Sequence, residues 1–167
     1  MRNVLFLVAT LFCLFSTPLD AQEWVKQDLR DIATLSFPGE PEAESDGPDM
    51  QAYNYLSDNG LMYVVVQRMD MIKDLPADQM DEFYDGFIRG FVGSLEREAG
   101  ESQVIKEKSH EGRAFVSTKE GAVDHTHYHR VFVIDDVVIV YNYALLDADN
   151  KETKKERETF FKSFSFK

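Results

Sequence analysis

Two long runs of strand-forming residues, separated by an acidic pair, limit what this chain can become. Residues 122–134 and 137–146 are rich in Val, Ile, Phe and Tyr, and only Asp135-Asp136 lies between them. Such runs around a two-residue break read as a β-hairpin, the longest strand-forming unit in the chain. Three of the four histidines, His125, His127 and His129, lie on its first run.

The flanking sequence supplies further elements. Residues 23–29 and 32–37 read as a short strand or turn and then a strand. Residues 38–49 are punctuated by Pro, Gly and acidic side chains and read as a loop. Residues 51–56 and 61–69 flank Ser57-Asp58-Asn59-Gly60, where Asn-Gly suits the positive φ angles of a tight hairpin. Met80, Phe83, Tyr84, Phe87, Ile88, Phe91, Val92 and Leu95 recur at three- and four-residue steps. That spacing predicts one long amphipathic helix, bounded by Pro76 and Gly100. Gly86, Gly90 and Gly93 lie beside the apolar stripe, and each costs a helix about 0.8–1 kcal/mol relative to alanine. Close approach of a strand or second helix is the expected reason for them; a ligand resting on the bare surface is the alternative. Residues 103–109 and 113–118 flank Glu111-Gly112 as another hairpin, and Glu120-Gly121 turns the chain into the central one. Residues 151–163 follow Asp149-Asn150, either of which can cap a helix. This segment is charged through Glu158 and then ends in Phe160, Phe161, Phe164 and Phe166, a latch onto the core. No internal repeat or second domain boundary is visible.

A chain of 167 residues with 13% aromatic content has the means to build one packed core. Its formal net charge of -12, from 30 acidic and 18 basic residues, argues against nucleic acid, which needs a basic face, and against anionic lipid. A basic partner or a cation is what such a field attracts, although acidity also serves solubility alone. Arg2, the apolar run 4–15, Pro18 and Ala21 have the order of a secretory signal, which places a signal peptide at 1–21 and one domain at 22–167. Periplasmic or secreted localisation follows, with no membrane attachment after cleavage. Cys13 is the only cysteine and lies within that signal, so the exported chain has no disulfide or Cys–metal site.

The order of elements, with Leu35-Ser36-Phe37-Pro38 near the start, the 122–146 hairpin and Phe160-Phe161-Lys162-Ser163-Phe164 at the end, resembles the PsbP-like and Mog-like fold superfamily. The resemblance implies an α+β fold: an antiparallel β-sheet with one long helix and a C-terminal helix packed on its faces. It also implies adaptor or assembly roles rather than enzymatic ones, as in photosystem accessory subunits, a small-GTPase cofactor and exported bacterial proteins. It carries over no site residue.

His125, His127 and His129 alternate, so on one strand they share a face. A two-residue turn at Asp135-Asp136 sets His129 opposite Asn142, His127 opposite Ala144 and His125 opposite Leu146. A two-residue turn at Glu120-Gly121 sets Val116, Ala114 and Gly112 on the other side, and a one-residue slip overturns this. His125, His127, His129 and Asn142 are therefore the candidate ligand-binding residues. An HxH pair supplies two imidazoles to a zinc-type ion, but His125 and His129 stand about 13–14 Å apart along the strand, and the remaining ligands are unidentified. The other readings are a shallow pocket around His127 and histidines packed at the sheet rim. On the opposite face Tyr128, Arg130, Tyr141 and Tyr143 cluster, with Arg113 nearby. Tyr and Arg are enriched in binding hot spots, which makes these five the candidate partner-binding residues; a covering helix makes them packing residues instead.

No catalytic residue is assigned and no cofactor is expected. The sequence has no GxSxG turn, HExxH, phosphate loop or dinucleotide fingerprint. Ser117, Asp124 and His127 suggest a triad by type, but strand alternation sends Asp124 and His127 to opposite faces. The leading functional reading is an exported binding or accessory protein acting by protein–protein recognition, with a basic partner as the form its charge favours and an inhibitor or immunity-type role as one version. The alternatives are a small-ligand or divalent-metal carrier using the histidine strand, and a hydrolase with an unrecognised site.

Overall fold

The computed structural model describes residues 24–146 and 148–167; the expected signal peptide lies outside the described residues. Eleven strands form two antiparallel sheets among those residues. The larger sheet runs β3 (Glu42–Asp46), β4 (Met50–Leu56), β5 (Gly60–Arg68), β10 (Val137–Leu145), β9 (Thr126–Ile134), β8 (His110–Thr118) and β6 (Glu98–Ala99), with β7 (Gln103–Glu107) also paired to β8. The smaller sheet joins β1 (Val25–Leu29) and β2 (Ala33–Phe37) to β11 (Ser165–Phe166), so it is made from both ends of the described chain. Helix α1 (Met80–Ser94) packs on one face of the large sheet and α2 (Lys151–Lys162) on the other. The fold is α+β, with antiparallel sheets, one long helix and a separate C-terminal helix.

The two faces bury different residues because strand side chains alternate. Leu35 and Phe37 of the small sheet and Phe160 and Phe164 at the end of the chain pack with Met62, Val64, Phe132, Tyr141 and Tyr143 of the large sheet. The terminal phenylalanines do form a latch: Phe164 stacks on Tyr141 with ring centroids 4.6 Å apart, and Phe166 stands edge-on to Phe132 at 5.2 Å. Under α1 lie Phe115, Val131, Val138 and Val140, covered by Tyr84, Ile88 and Val92. A 3-10 turn, Ala77–Gln79, leads into α1, and the helix ends at Ser94, earlier than Gly100 suggested. Glu96, at φ 53°, takes the left-handed position, and the N–H groups of Glu96 and Arg97 donate back to the carbonyls of Gly93 and Val92. This closure turns Arg97 toward the sheet.

Several expectations need correction. Residues 38–49 contain strand β3, whose Glu, Ser and Asp residues hide it from propensity; it is a charged edge strand. The β7–β8 turn is Lys108-Ser109, with Lys108 at φ 53°, and not Glu111-Gly112. Gly112 lies inside β8 because the Phe132 ring covers it. At the β4–β5 turn neither Asn59 nor Gly60 has positive φ; the Ser57 hydroxyl accepts from both their N–H groups instead. Gly86, Gly90 and Gly93 are not sites of close approach, since a Cβ at any of them would meet nothing within 4 Å.

Candidate functional site

The β9–β10 register is the expected one: Asn142 faces His129, and Ala144 faces His127. The β8–β9 register is not. Strand β9 begins at Thr126, and residues 119–125 form a long connection that leaves His125 exposed and off the strand. Phe115 therefore faces His129 and Ser117 faces His127, in place of Gly112 and Ala114. The shift is three residues, an odd number, so it exchanges the small neighbours for an aromatic ring and a hydroxyl.

His127, His129 and Asn142 come together on the α1 face with three residues from elsewhere: Arg97, Ser117 and Asp124. Arg97 Nε donates to Ser117 Oγ at 3.1 Å, and its two terminal nitrogens reach the Asp124 carboxylate and carbonyl at 3.3 and 2.8 Å. The Ser117 hydroxyl, which accepts from Arg97, also hydrogen-bonds His129 Nε2, 2.8 Å away. Asp124, free of strand alternation because it lies in the connection, accepts from His127 Nε2 at 2.7 Å. The expected separation of Asp124 from His127 is thus overturned.

Electrostatics keep both imidazoles neutral near pH 7. Burial, with His127 and Arg97 close by, lowers His129 to about 3. Burial also lowers His127, against the opposing pull of its Asp124 bond. Burial works against the Asp124 carboxylate, but the His127 bond and the nearby cations hold it below the usual range. A base as weak as His129 is poorly matched to deprotonating a hydroxyl at neutral pH, and Ser117 is fully buried. Phe115 stacks on the His129 ring at 4.5 Å and Phe91 stands edge-on at 5.6 Å. Among the described residues no three His, Cys, Asp or Glu side chains form a metal-holding group. His127 Nδ1, His129 Nδ1 and Asn142 Oδ1 are buried without a hydrogen-bond partner in the protein.

The candidate partner-binding residues divide between the two faces. Tyr141 and Tyr143 are buried beneath α2, Arg157 lies over the Tyr128 ring at 3.9 Å, and Arg130 lies over Phe161 at 4.7 Å. Arg113, expected beside them, is on the α1 side, over the Tyr84 ring and paired with Asp81.

The α1 face also carries a groove alongside the helix. Across the sheet, register aligns Glu44, Ala52, Val65 and Val140 in one row, and Glu42, Asn54, Tyr63 and Asn142 in the next. In these rows Val140 lies under α1, Val65 and Tyr63 are half-buried and Ala52 is fully buried. Beside α1 runs the groove of about 270 Å³, floored by Val65, Val138 and Val140 and walled by Phe87, Gly90 and Phe91. Phe83, Phe87 and Phe91 stack in a ladder at 6.0 Å spacing, each partly buried. The exposed Glu42 and Glu44 lie two strands from Tyr63 and Val65, about 10 Å away. The sequence signal of this bare helix surface is the glycines beside the apolar stripe, of which Gly90 lines the groove.

No protein family and no curated protein matches the sequence. Solved structures do match. Cyanobacterial PsbP (CyanoP) from Synechocystis sp. PCC 6803 superposes with a TM-score of 0.63 at 11% identity, covering 90% of this chain and 96% of that one. A protein of unknown function from Pseudomonas aeruginosa, PA94, described as a putative regulator, aligns at 12% identity with a TM-score of 0.44, covering 84% of this chain and 95% of that one. The chain shares the general PsbP-like α+β fold.

Proposed function

We propose that this chain is an exported binding or accessory protein that recognises a basic, amphipathic segment of a partner protein in the groove beside α1. The observation that carries this reading is the pairing of an apolar, aromatic-walled groove with an acidic sheet edge. Val65, Val138, Val140 and the phenylalanine ladder supply an apolar bed, and Glu42 and Glu44 supply charge along its far side. Apolar side chains of the partner enter the groove, and its Lys or Arg residues reach the β3 edge. The net charge of -12 steers such a partner toward the protein, an effect that salt weakens. Export to the periplasm or beyond is part of the proposal and rests on the N-terminal sequence. Among the described residues no helix is long and apolar enough to cross a membrane.

Gly90 provides the test. A side chain there projects into open space, so Gly90→Leu fills the groove without a clash in the fold. Titration of a labelled peptide alternating Leu and Lys should show saturable binding that weakens at high salt. Binding should be lost in Gly90→Leu and reduced in the Glu42→Gln/Glu44→Gln double variant, while Glu120→Gln on a remote loop leaves it unchanged. Equal binding by the wild type and Gly90→Leu, or equal binding of a Leu/Glu peptide, overturns the proposal.

A further inference from the structure

On the opposite face, between α2 and strands β8 and β9, lies a separate cavity of about 400 Å³. Its walls are mainly apolar, from Ala114, Val116 and the rings of Tyr128 and Phe161, with Arg130 set among them. We propose that this cavity binds a monocarboxylate carried on an apolar body, with the Arg130 guanidinium as its counter-ion.

Charge pairing distinguishes Arg130 from the other cations of the cavity. Arg157 is paired with Asp149 at 2.9 Å, and Lys162 with Glu158 at 3.2 Å. Arg130 makes no ion pair with any described residue, although acidic residues outnumber basic ones 30 to 18 in the chain. Its interactions are the Phe161 ring, the Phe161 carbonyl at 3.4 Å and the neighbouring Tyr141 hydroxyl. A guanidinium carries five N–H donors in a planar fork, so most of that fork remains for a ligand, and its geometry matches a carboxylate in bidentate fashion. Stacking on Phe161 holds the fork in place before anything binds.

The same surroundings set the ligand's charge and shape. Of the cavity's cations only Arg130 is without an acid among the described residues, and Glu101 and Glu158 also line the cavity, so a dianion such as a phosphate monoester meets repulsion where a monoanion does not. The volume suits a small organic acid, whose apolar part lies against Ala114, Val116 and Phe161. A free acid and the C-terminal carboxylate of a peptide ending in an apolar residue present the same chemistry.

Ligand-observed NMR titration of the protein with phenylacetate, phenylacetamide and phenyl phosphate tests this directly. Phenylacetate should bind saturably, and the neutral amide and the dianion at least about tenfold more weakly. A short peptide ending in free Phe, compared with its C-terminal amide, separates the two sources: tighter binding of the free-acid peptide than of phenylacetate assigns the site to a chain end, and the reverse to a small acid. Arg130→Met keeps the stem over Phe161 and should abolish carboxylate binding. Ala114→Leu fills the cavity from the other side and should do the same, so that a folding defect in one variant does not decide the matter. Gly90→Leu should leave phenylacetate binding intact, since the two sites lie on opposite faces. Equal affinity for acid and amide, full binding by both cavity variants, or no saturable binding of any carboxylate overturns the assignment.

Discussion

The Ser117 hydroxyl and the His129 imidazole meet at 2.8 Å inside the α1 face, and both side chains are almost wholly buried. His129 is neutral there, its pKa lowered to about 3 by burial and by the nearby His127 and Arg97. An unfolded chain protonates the same histidine near 6.5. Below that pH the unfolded state gains a proton that the folded state does not take, so stability falls as pH drops from about 6.5 toward 3. Between pH 7.5 and pH 5 this one residue should remove about 2 kcal/mol. Denaturant unfolding at the two pH values measures the loss, and His129→Gln should make the difference clearly smaller.

Glu156 ties α2 to the sheet at three points. Its carboxylate accepts from the Ser57 hydroxyl at 2.6 Å, the Asn59 amide at 2.9 Å and the Tyr143 hydroxyl at 2.9 Å. Burial and the Glu156 charge push the Tyr143 phenol well above its ordinary range, so it remains a donor. Glu156→Ala strands that buried hydroxyl and should cost about 1–3 kcal/mol in thermal or denaturant unfolding. Glu156→Gln, which keeps an acceptor, should cost distinctly less.

Glycines in this chain should respond to alanine with opposite signs. At Gly112 a Cβ would lie 2.5 Å from the Val131 carbonyl oxygen and 2.6 Å from the Phe132 ring, so Gly112→Ala should destabilise by about 1–3 kcal/mol. At Gly90 the space is open and the residue is helical, so Gly90→Ala should stabilise by about 0.8–1 kcal/mol. Paired melting curves decide both. Destabilisation by Gly90→Ala would mean that this face of α1 is covered.

The first turn of α2 is held by Asn150, whose side chain accepts from the Thr153 N–H at 3.0 Å. Asn150→Ala should lower stability by about 1 kcal/mol, and Asn150→Asp should restore most of it. Chemical denaturation of the three proteins checks the order.

Short-range chemistry was enough to determine much of this protein from sequence. The stripe from Met80 to Val92 specified α1 because its period is that of a helix. Asp135-Asp136 specified the β9–β10 register because a two-residue turn leaves no freedom in pairing. The phenylalanines after Glu158 showed where the C-terminal helix meets the core. Tertiary structure decided the rest. The β8–β9 register depends on the length of the 119–125 connection, and no local signal fixes that length. With it went the neighbours of His127 and His129, the placement of Asp124 and the distance of His125 from the strand. Arg97 entered the same cluster only through the backbone closure after α1. Strand β3 exists because β4 is there to pair with it, and the small sheet because the two ends of the described chain meet. Where a groove is left beside α1, and which arginine under α2 lacks an acid, depend on contacts between segments far apart in sequence. Periodicity and turn chemistry act over a few residues and are legible there; pairing and cover act across the whole chain.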